Sequence, residues 1–137
     1  MFPMWEDAMA TGVEEIDDDH RRIADLFDDA LISLGRNPGH AAIVDVLSRL
    51  VDSMCEHIER ENELMRSIRD RTEAQHRLEH DEYLSRLSQL MVDCQKHDSC
   101  IVSRVRDLAS LWKHQHQERF DRPLAQSIRR QREPARL

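Results

Sequence analysis

The chain has little of what punctuates β structure. Three glycines and four prolines are spread over 137 residues, and aromatic side chains make up 4%. Strands favour aromatic residues and tight hairpin turns favour glycine, so the scarcity argues against a sandwich or a barrel. Three cysteines, an odd number with no CxxC spacing, exclude a disulfide framework. They read as free thiols in a reducing compartment, which points to the cytoplasm. No apolar run approaches the roughly 18 residues that a membrane span needs. The first seven residues, Met1-Phe2-Pro3-Met4-Trp5-Glu6-Asp7, have neither the basic nor the apolar part of a signal peptide. Lysine and arginine are outnumbered by acidic residues, and the net charge of −7 argues against nucleic acid as a general partner.

What is present is helix-forming: Leu, Arg, Glu and Asp dominate, and charged residues reach 34%. One domain of this length can bury a sizeable core. The pattern predicts an all-α, up-down-up-down four-helix bundle over residues 17–122. An irregular N-terminal arm, 1–16, precedes it and an arginine-rich tail, 123–137, follows. Asp17 reads as the N-cap of a helix over 18–34 that buries Ile23, Leu26, Phe27, Ala30, Leu31 and Leu34. Gly35 offers a left-handed C-cap, and Asn37-Pro38 restarts the chain for a helix over 38–67. Thr72 with Gln75 reads as a capping box ahead of a helix over 73–96. Ser99, at the end of a His97-Asp98-Ser99 loop, would cap the last helix, which runs to about 121. Pro123 should end or kink it. Arg129, Arg130, Arg132 and Arg136 then give a basic tail, read as a solvated, frayed terminus that could also dock a protein partner.

Polar residues break into the apolar stripes of these helices. On the second helix Ile43, Val46, Leu47, Leu50, Met54, His57, Glu61, Leu64 and Ile68 follow one 3–4 rhythm. On the third, His76 and His80 lead into Tyr83, Leu84, Leu87, Met91 and Cys94. His20 extends the stripe of the first helix and His116 that of the last, with Asp121 five residues on. Burying such groups unpaired costs on the order of 2–7 kcal/mol each. Five inward histidines with Glu61 and Asp121 therefore read as metal ligands. His40, His97 and His114 carry the plainer reading of surface or loop residues. Cys55 and Cys94 read as packing residues. Seven nitrogen and carboxylate donors exceed one tetrahedral ion and suit two ions sharing carboxylates. Imidazole with carboxylate favours iron, while manganese, cobalt and zinc stay open.

The pattern resembles the hemerythrin family, specifically its single-domain bacterial members. The residues that carry the resemblance are Trp5, Gly12-Val13, Ile16-Asp17 ahead of His20, His57-x-x-x-Glu61, His76-x-x-x-His80 and Trp112-x-x-x-His116-x-x-x-x-Asp121. The resemblance implies a non-haem centre of two iron ions joined by an oxo or hydroxo bridge. His76, His80 and His116 would hold one iron and His20 and His57 the other, with Glu61 and Asp121 bridging. It further implies reversible binding of dioxygen at the iron with two histidines, beside a pocket of Ile23, Ile58, Trp112, Lys113 and Gln117. It implies no catalytic residue. The alternatives are a di-iron redox enzyme acting on peroxide or ferrous iron, and an oxygen- or redox-sensing signalling module.

Four positions depart from the family pattern. Ile58 stands where Phe is frequent, and Asp19, just before His20, where Gln is common. Lys113 and Gln117, four apart, stand where apolar residues are usual, and predict a polar wall beside the open iron. The sorting of histidines makes a direct prediction. His40→Ala, His97→Ala and His114→Ala leave the metal content per chain unchanged by elemental analysis, whereas His76→Ala or His80→Ala lowers it.

Overall fold

The protein's structure, a computed structural model, describes residues 4–36, 39–95 and 101–133. Four helices carry the bundle: α1 Glu14–Gly35, α2 His40–Ile68, α3 Glu73–Gln95 and α4 Ile101–Leu111. The last continues into a π-helical segment, Trp112–Asp121, and then into α5, Arg122–Arg132. Leu111, Asp121 and Arg122 all keep right-handed helical angles, so the backbone stays helical through both junctions. A single 3₁₀ turn, Asp7–Met9, lies in the N-terminal arm, and no strand occurs among the described residues.

α1 packs on α2 and α4, and α3 packs on the same two, so the four helices form a closed ring. His20 lies near the start of α1 and His76 and His80 near that of α3. His57 and Glu61 lie toward the end of α2. Neighbouring helices must run in opposite directions for these residues to meet, as up-down-up-down connectivity requires. Ile23, Phe27, Leu47, Leu50, Met54, Tyr83, Leu87, Val105 and Trp112 are buried in one core. Each such side chain contributes about 1.5–3 kcal/mol on leaving water. Tyr83 keeps its phenol satisfied there by donating to the Leu108 carbonyl at 2.8 Å. A second, smaller core closes one end, where Val13 and Ile16 meet Met65 of α2 and Leu124, Ala125 and Ile128 of α5.

Several local expectations are corrected. α1 begins four residues earlier than predicted, with Val13 as N-cap and the Asp17 N–H bonding the Val13 carbonyl at 2.9 Å. Asp17 therefore sits inside the first turn. Its carboxylate instead accepts from Thr11 N–H (2.8 Å), Thr11 O–H (2.7 Å) and Gly12 N–H (3.1 Å), folding the arm back on the helix. Gly35 is the last residue of α1, and the residue after it, Arg36, has φ −92°, so no left-handed cap forms there. The left-handed residue is Arg69 after α2 (φ 53°, ψ 51°), where the Asp70 N–H reaches back to the Met65 carbonyl. The Thr72 hydroxyl bonds Asp70 at 2.7 Å rather than a helix amide. Asn37, Pro38, His97, Ser99, Cys100 and Arg136 lie outside the described residues.

Pro123 neither ends nor breaks the last helix. The Arg122 N–H bonds the carbonyl of Gln117, five residues back. The turn ahead of the proline ring is thus wider than the α-turn with which it would clash. Nor are the described residues of the arginine-rich stretch, 123–133, frayed. Leu124, Ala125 and Ile128 are fully buried, and Arg132 pairs with Glu15 at 2.6 Å. The sequence shows many charges here, but three small or apolar residues spaced along one face suffice to dock the helix.

Gly12 is where this end closes most tightly. Its φ is +85°, and a Cβ there would come 3.1 Å from Arg129 Nε. Gly12→Ala should cost about 1–2 kcal/mol from the backbone alone. Adding Arg129→Ala removes the contact but not the backbone strain, so urea unfolding of the double variant should show most of the loss persisting.

Candidate metal centre

The two i, i+4 pairs, His57/Glu61 and His76/His80, sit as the α-helical period places them, one turn apart. His57 Nε2 lies 2.9 Å from Glu61 Oε1, and the rings of His76 and His80 are 4.4 Å apart. The pair on the last helix is different. In an α-helix, residues five apart stand about 140° from each other, too far to share a site. The π segment widens the register by one residue and stacks i over i+5. His116 Nε2 is therefore 3.0 Å from Asp121 Oδ1. His20 completes the set, 2.7 Å from Asp121 Oδ2. All seven side chains are at most 1% exposed.

Hydrogen bonding cannot account for this cluster. Glu61 Oε1 alone has four imidazole nitrogens within 3.4 Å: those of His57 (2.9 Å), His80 (3.0 Å), His116 (3.3 Å) and His76 (3.4 Å). A carboxylate oxygen offers about two acceptor directions, and a neutral imidazole carries one N–H. Meanwhile Glu61 Oε2 and the Nδ1 atoms of His20, His76 and His116 have no partner among the described residues. Crowded nitrogens and oxygens facing one volume, with orphaned atoms behind them, fit cations and not a satisfied polar core. The donors fall into two sets, each with its ligand atoms within 4.8 Å of one another. Glu61, His76, His80, His116 and Asp121 form one, and His20, His57, Glu61 and Asp121 the other. No thiolate takes part, so the donor chemistry is nitrogen and oxygen throughout.

Charge explains how these groups coexist. Burial pushes the His57 imidazole down, but the Glu61 charge and bonds with Asp121, Asp19 and Glu61 outweigh it and hold it well above the usual range. His76 likewise reaches about 9 against its desolvation, through Asp121 and Glu61. Burial also works against the charged forms of Glu61 and Asp121, yet the surrounding imidazoles keep both well below the ordinary carboxylate range. His80 goes the other way, to about 4. Its burial is reinforced by repulsion from His116 and His76, and the bond to Glu61 does not make up for it.

Around the ligands, His57 Nδ1 bonds Asp19 Oδ2 at 3.0 Å and His80 Nδ1 bonds Asn62 Oδ1 at 3.2 Å. These contacts favour the tautomer that leaves Nε2 free for a metal. Trp112 stacks on His116 (4.2 Å, 14°) and lies nearly perpendicular to the rings of His20 and His57. Ile23 and Ile58 are buried in the core that contains Trp112. The expected wall of Lys113 and Gln117 is not formed as a pair. Lys113 Nζ turns to Glu6 of the arm at 3.2 Å, while Gln117 is 5% exposed with Nε2 unpartnered among the described residues. His114 is exposed and His40 opens α2. The contributions of Asn62 and Phe120, whose ring lies 5.3 Å from His76, escaped the sequence reading because no spacing rule singles them out. Asp19 was visible there only as a departure from a family pattern.

The fold and the donors define a class: a helix-bundle protein with a buried, carboxylate-sharing site for cations. The comparisons make it particular. The hemerythrin HHE cation binding domain model matches residues 11–121, and the chain belongs to that family. The chain is 27% identical over 126 residues to the bacteriohemerythrins of Pseudomonas paraeruginosa and Pseudomonas aeruginosa, covering 92% of this chain and 81% of theirs. It is 25% identical, with the same coverage, to that of Stenotrophomonas maltophilia. No solved structure matches the chain significantly. No helix among the described residues is long and apolar enough to cross a membrane.

Metal uptake must displace protons from these ligands. With its folded value raised to about 9, His76 is protonated at pH 7 when no metal is bound, and His57 is shifted in the same direction. Loading the metal-free protein should release at least the His76 proton, read by calorimetry in buffers of different ionisation enthalpy. Metal affinity then rises between pH 7 and 9. The stability that His76 lends the metal-free protein runs oppositely: it is complete below about 6.5 and lost as pH rises through about 9.

Proposed function

We propose that this centre holds two iron ions and that the protein binds dioxygen reversibly, for storage, delivery or sensing in the cytoplasm, and is not an enzyme. The observation that carries the reading is the asymmetry of the two donor sets. Both include Glu61 and Asp121, but one has three histidines and the other two. On this reading His76, His80 and His116 hold one ion, His20 and His57 hold the second, and the carboxylates of Glu61 and Asp121 bridge them. The ion with fewer protein donors keeps a position open to a ligand. Bound iron would supply the electrons that dioxygen binding needs. The names of the bacterial relatives, bacteriohemerythrins, support the assignment.

The chain's own residues decide what happens beside that position. Trp112, Ile23 and Ile58 keep the His20–His57 side apolar and exclude water, which protects a reversible complex from side reactions. The buried Gln117 amide follows directly on the ligand His116, and its Nε2 has no partner among the described residues. On this reading it reaches toward the open position, where an N–H donor can hold a water or pass a proton, and either favours oxidation with loss of peroxide. This residue favours a second reading, a di-iron redox enzyme that turns over peroxide or ferrous iron.

Oxygen titration of the reduced protein, followed by visible absorption alongside iron analysis, separates the two. Two irons per chain and an oxygenated spectrum that reverses on deoxygenation support the carrier. Immediate irreversible oxidation with peroxide release overturns it. In the same assay Gln117→Ile should slow decay of the oxygenated form about ten-fold, equivalent to about 1.4 kcal/mol of barrier. An unchanged decay rate would remove Gln117 from the argument.

A further inference from the structure

The five histidines differ in what stands behind them. His20, His76 and His116 have no Nδ1 partner among the described residues, and His80 has the neutral Asn62 carbonyl. His57 alone is backed by a carboxylate. Asp19 is 3% exposed, and its Oδ2 accepts from His57 Nδ1 at 3.0 Å. The same carboxylate is gripped by Arg60 through three contacts: Nε at 2.8 and 3.1 Å, and Nη2 at 2.8 Å. The Arg60 side chain is 43% exposed, with Glu56 3.8 Å from its Nη2 and Arg22 3.7 Å from Asp19 Oδ1. The charge relay thus runs from a solvent-reachable guanidinium, through a buried anion, to an imidazole whose other nitrogen faces the donor set with fewer histidines.

We propose that Asp19 and Arg60 act as a pair of positioning residues that set how strongly His57 donates to its metal. This rests on the reading of His57 as a ligand. An anion behind an imidazole draws the Nδ1 proton toward itself, fixes the ring and makes Nε2 more basic. Placed behind one of only two histidines, that donation offsets the missing third ligand. Arg60 moderates it, because a bidentate guanidinium shares the carboxylate charge that would otherwise fall wholly on the imidazole. The geometry ties the effect to this ion. Asp19 precedes the ligand His20 on α1, and Arg60 lies between the ligands His57 and Glu61 on α2.

A simple clasp between α1 and α2 would show the same contacts, so the test must separate stiffness from donation. Asp19→Asn keeps an acceptor of the same size and removes the charge. Arg60→Gln keeps the carboxylate and removes its moderator, at a position where water can replace the guanidinium. Cobalt(II) is the probe, titrated into metal-free protein against a competing chelator. The expected result is that Asp19→Asn weakens the second cobalt site 10–100-fold and leaves the first within a few-fold. Arg60→Gln tightens the second site, and in the iron-loaded protein the two variants move the midpoint potential in opposite directions, up and down respectively. Glu56→Gln, whose carboxylate lies 3.8 Å from Arg60 and 3.6 Å from Arg22 on the exposed side, moves neither quantity appreciably. Equal affinities in all four proteins, or a loss shared equally by both sites, would overturn the proposal while leaving the metal centre standing. A wild-type chain that takes up fewer than two cobalt ions would instead overturn the reading on which it rests. Should Asp19→Asn fail to fold, Arg60→Gln decides alone: tightening of the second site supports the proposal, and weakening or no change defeats it.

Discussion

Two carboxylates held out of water constrain everything else in this bundle. Glu61 and Asp121 are fully buried, and an isolated carboxylate at such a depth would either take a proton or unfold its surroundings. Five imidazoles make the burial tolerable, and they come from all four sides of the ring of helices. The apolar core and the polar cluster are consequently not rivals for the same interior. Trp112 and Tyr83 of the apolar core lie against the His116 ring, and the cluster in turn dictates which ends of the helices must meet.

The last helix shows how strongly that constraint acts on the backbone. An uninterrupted α-helix would carry His116 inward and turn Asp121 away. Ten residues in the π register bring both to the same face, at the expense of the tighter packing of an ordinary turn. The widened register also accommodates Pro123, so the chain can continue into α5 and use Leu124, Ala125 and Ile128 to close the bundle's end. Ligand placement, tolerance of a proline and closure of the second core are three results of one change in backbone period.

The parts legible in the sequence were those governed by a regular period. The bundle, the boundaries of α2 and α3 to within a few residues, and the inward placement of His57, Glu61, His76 and His80 all follow from 3.6 residues per turn. Asp121 was read as a candidate five residues after His116 and again through a family motif, although α-helical geometry would turn it away from His116. Pro123 misled for a related reason: its usual clash presupposes the α register that the segment has abandoned. The capping errors at Asp17 and Thr72 arose where a side chain had two competing partners. Asp17 serves the loop before its helix, and Thr72 serves Asp70. Such choices are made by tertiary contacts that no local rule contains. Asp19 and Arg60 are 41 residues apart, and nothing short of the folded helices reveals that they share a bond.

The contact of His20 with Asp121 spans 101 residues of chain. During synthesis, at roughly 5–20 residues per second, the earliest ligand waits on the order of 5–20 s for the last. In that interval His57, Glu61, His76 and His80 have already been made, and they form a nitrogen-rich partial set from two adjacent helices. An imidazole-rich fragment of this kind follows the general order of affinity among divalent metals. The late arrivals, His116 and Asp121, add the second carboxylate that both donor sets share. The π segment is therefore also the step in assembly at which a newly made chain completes its cation site.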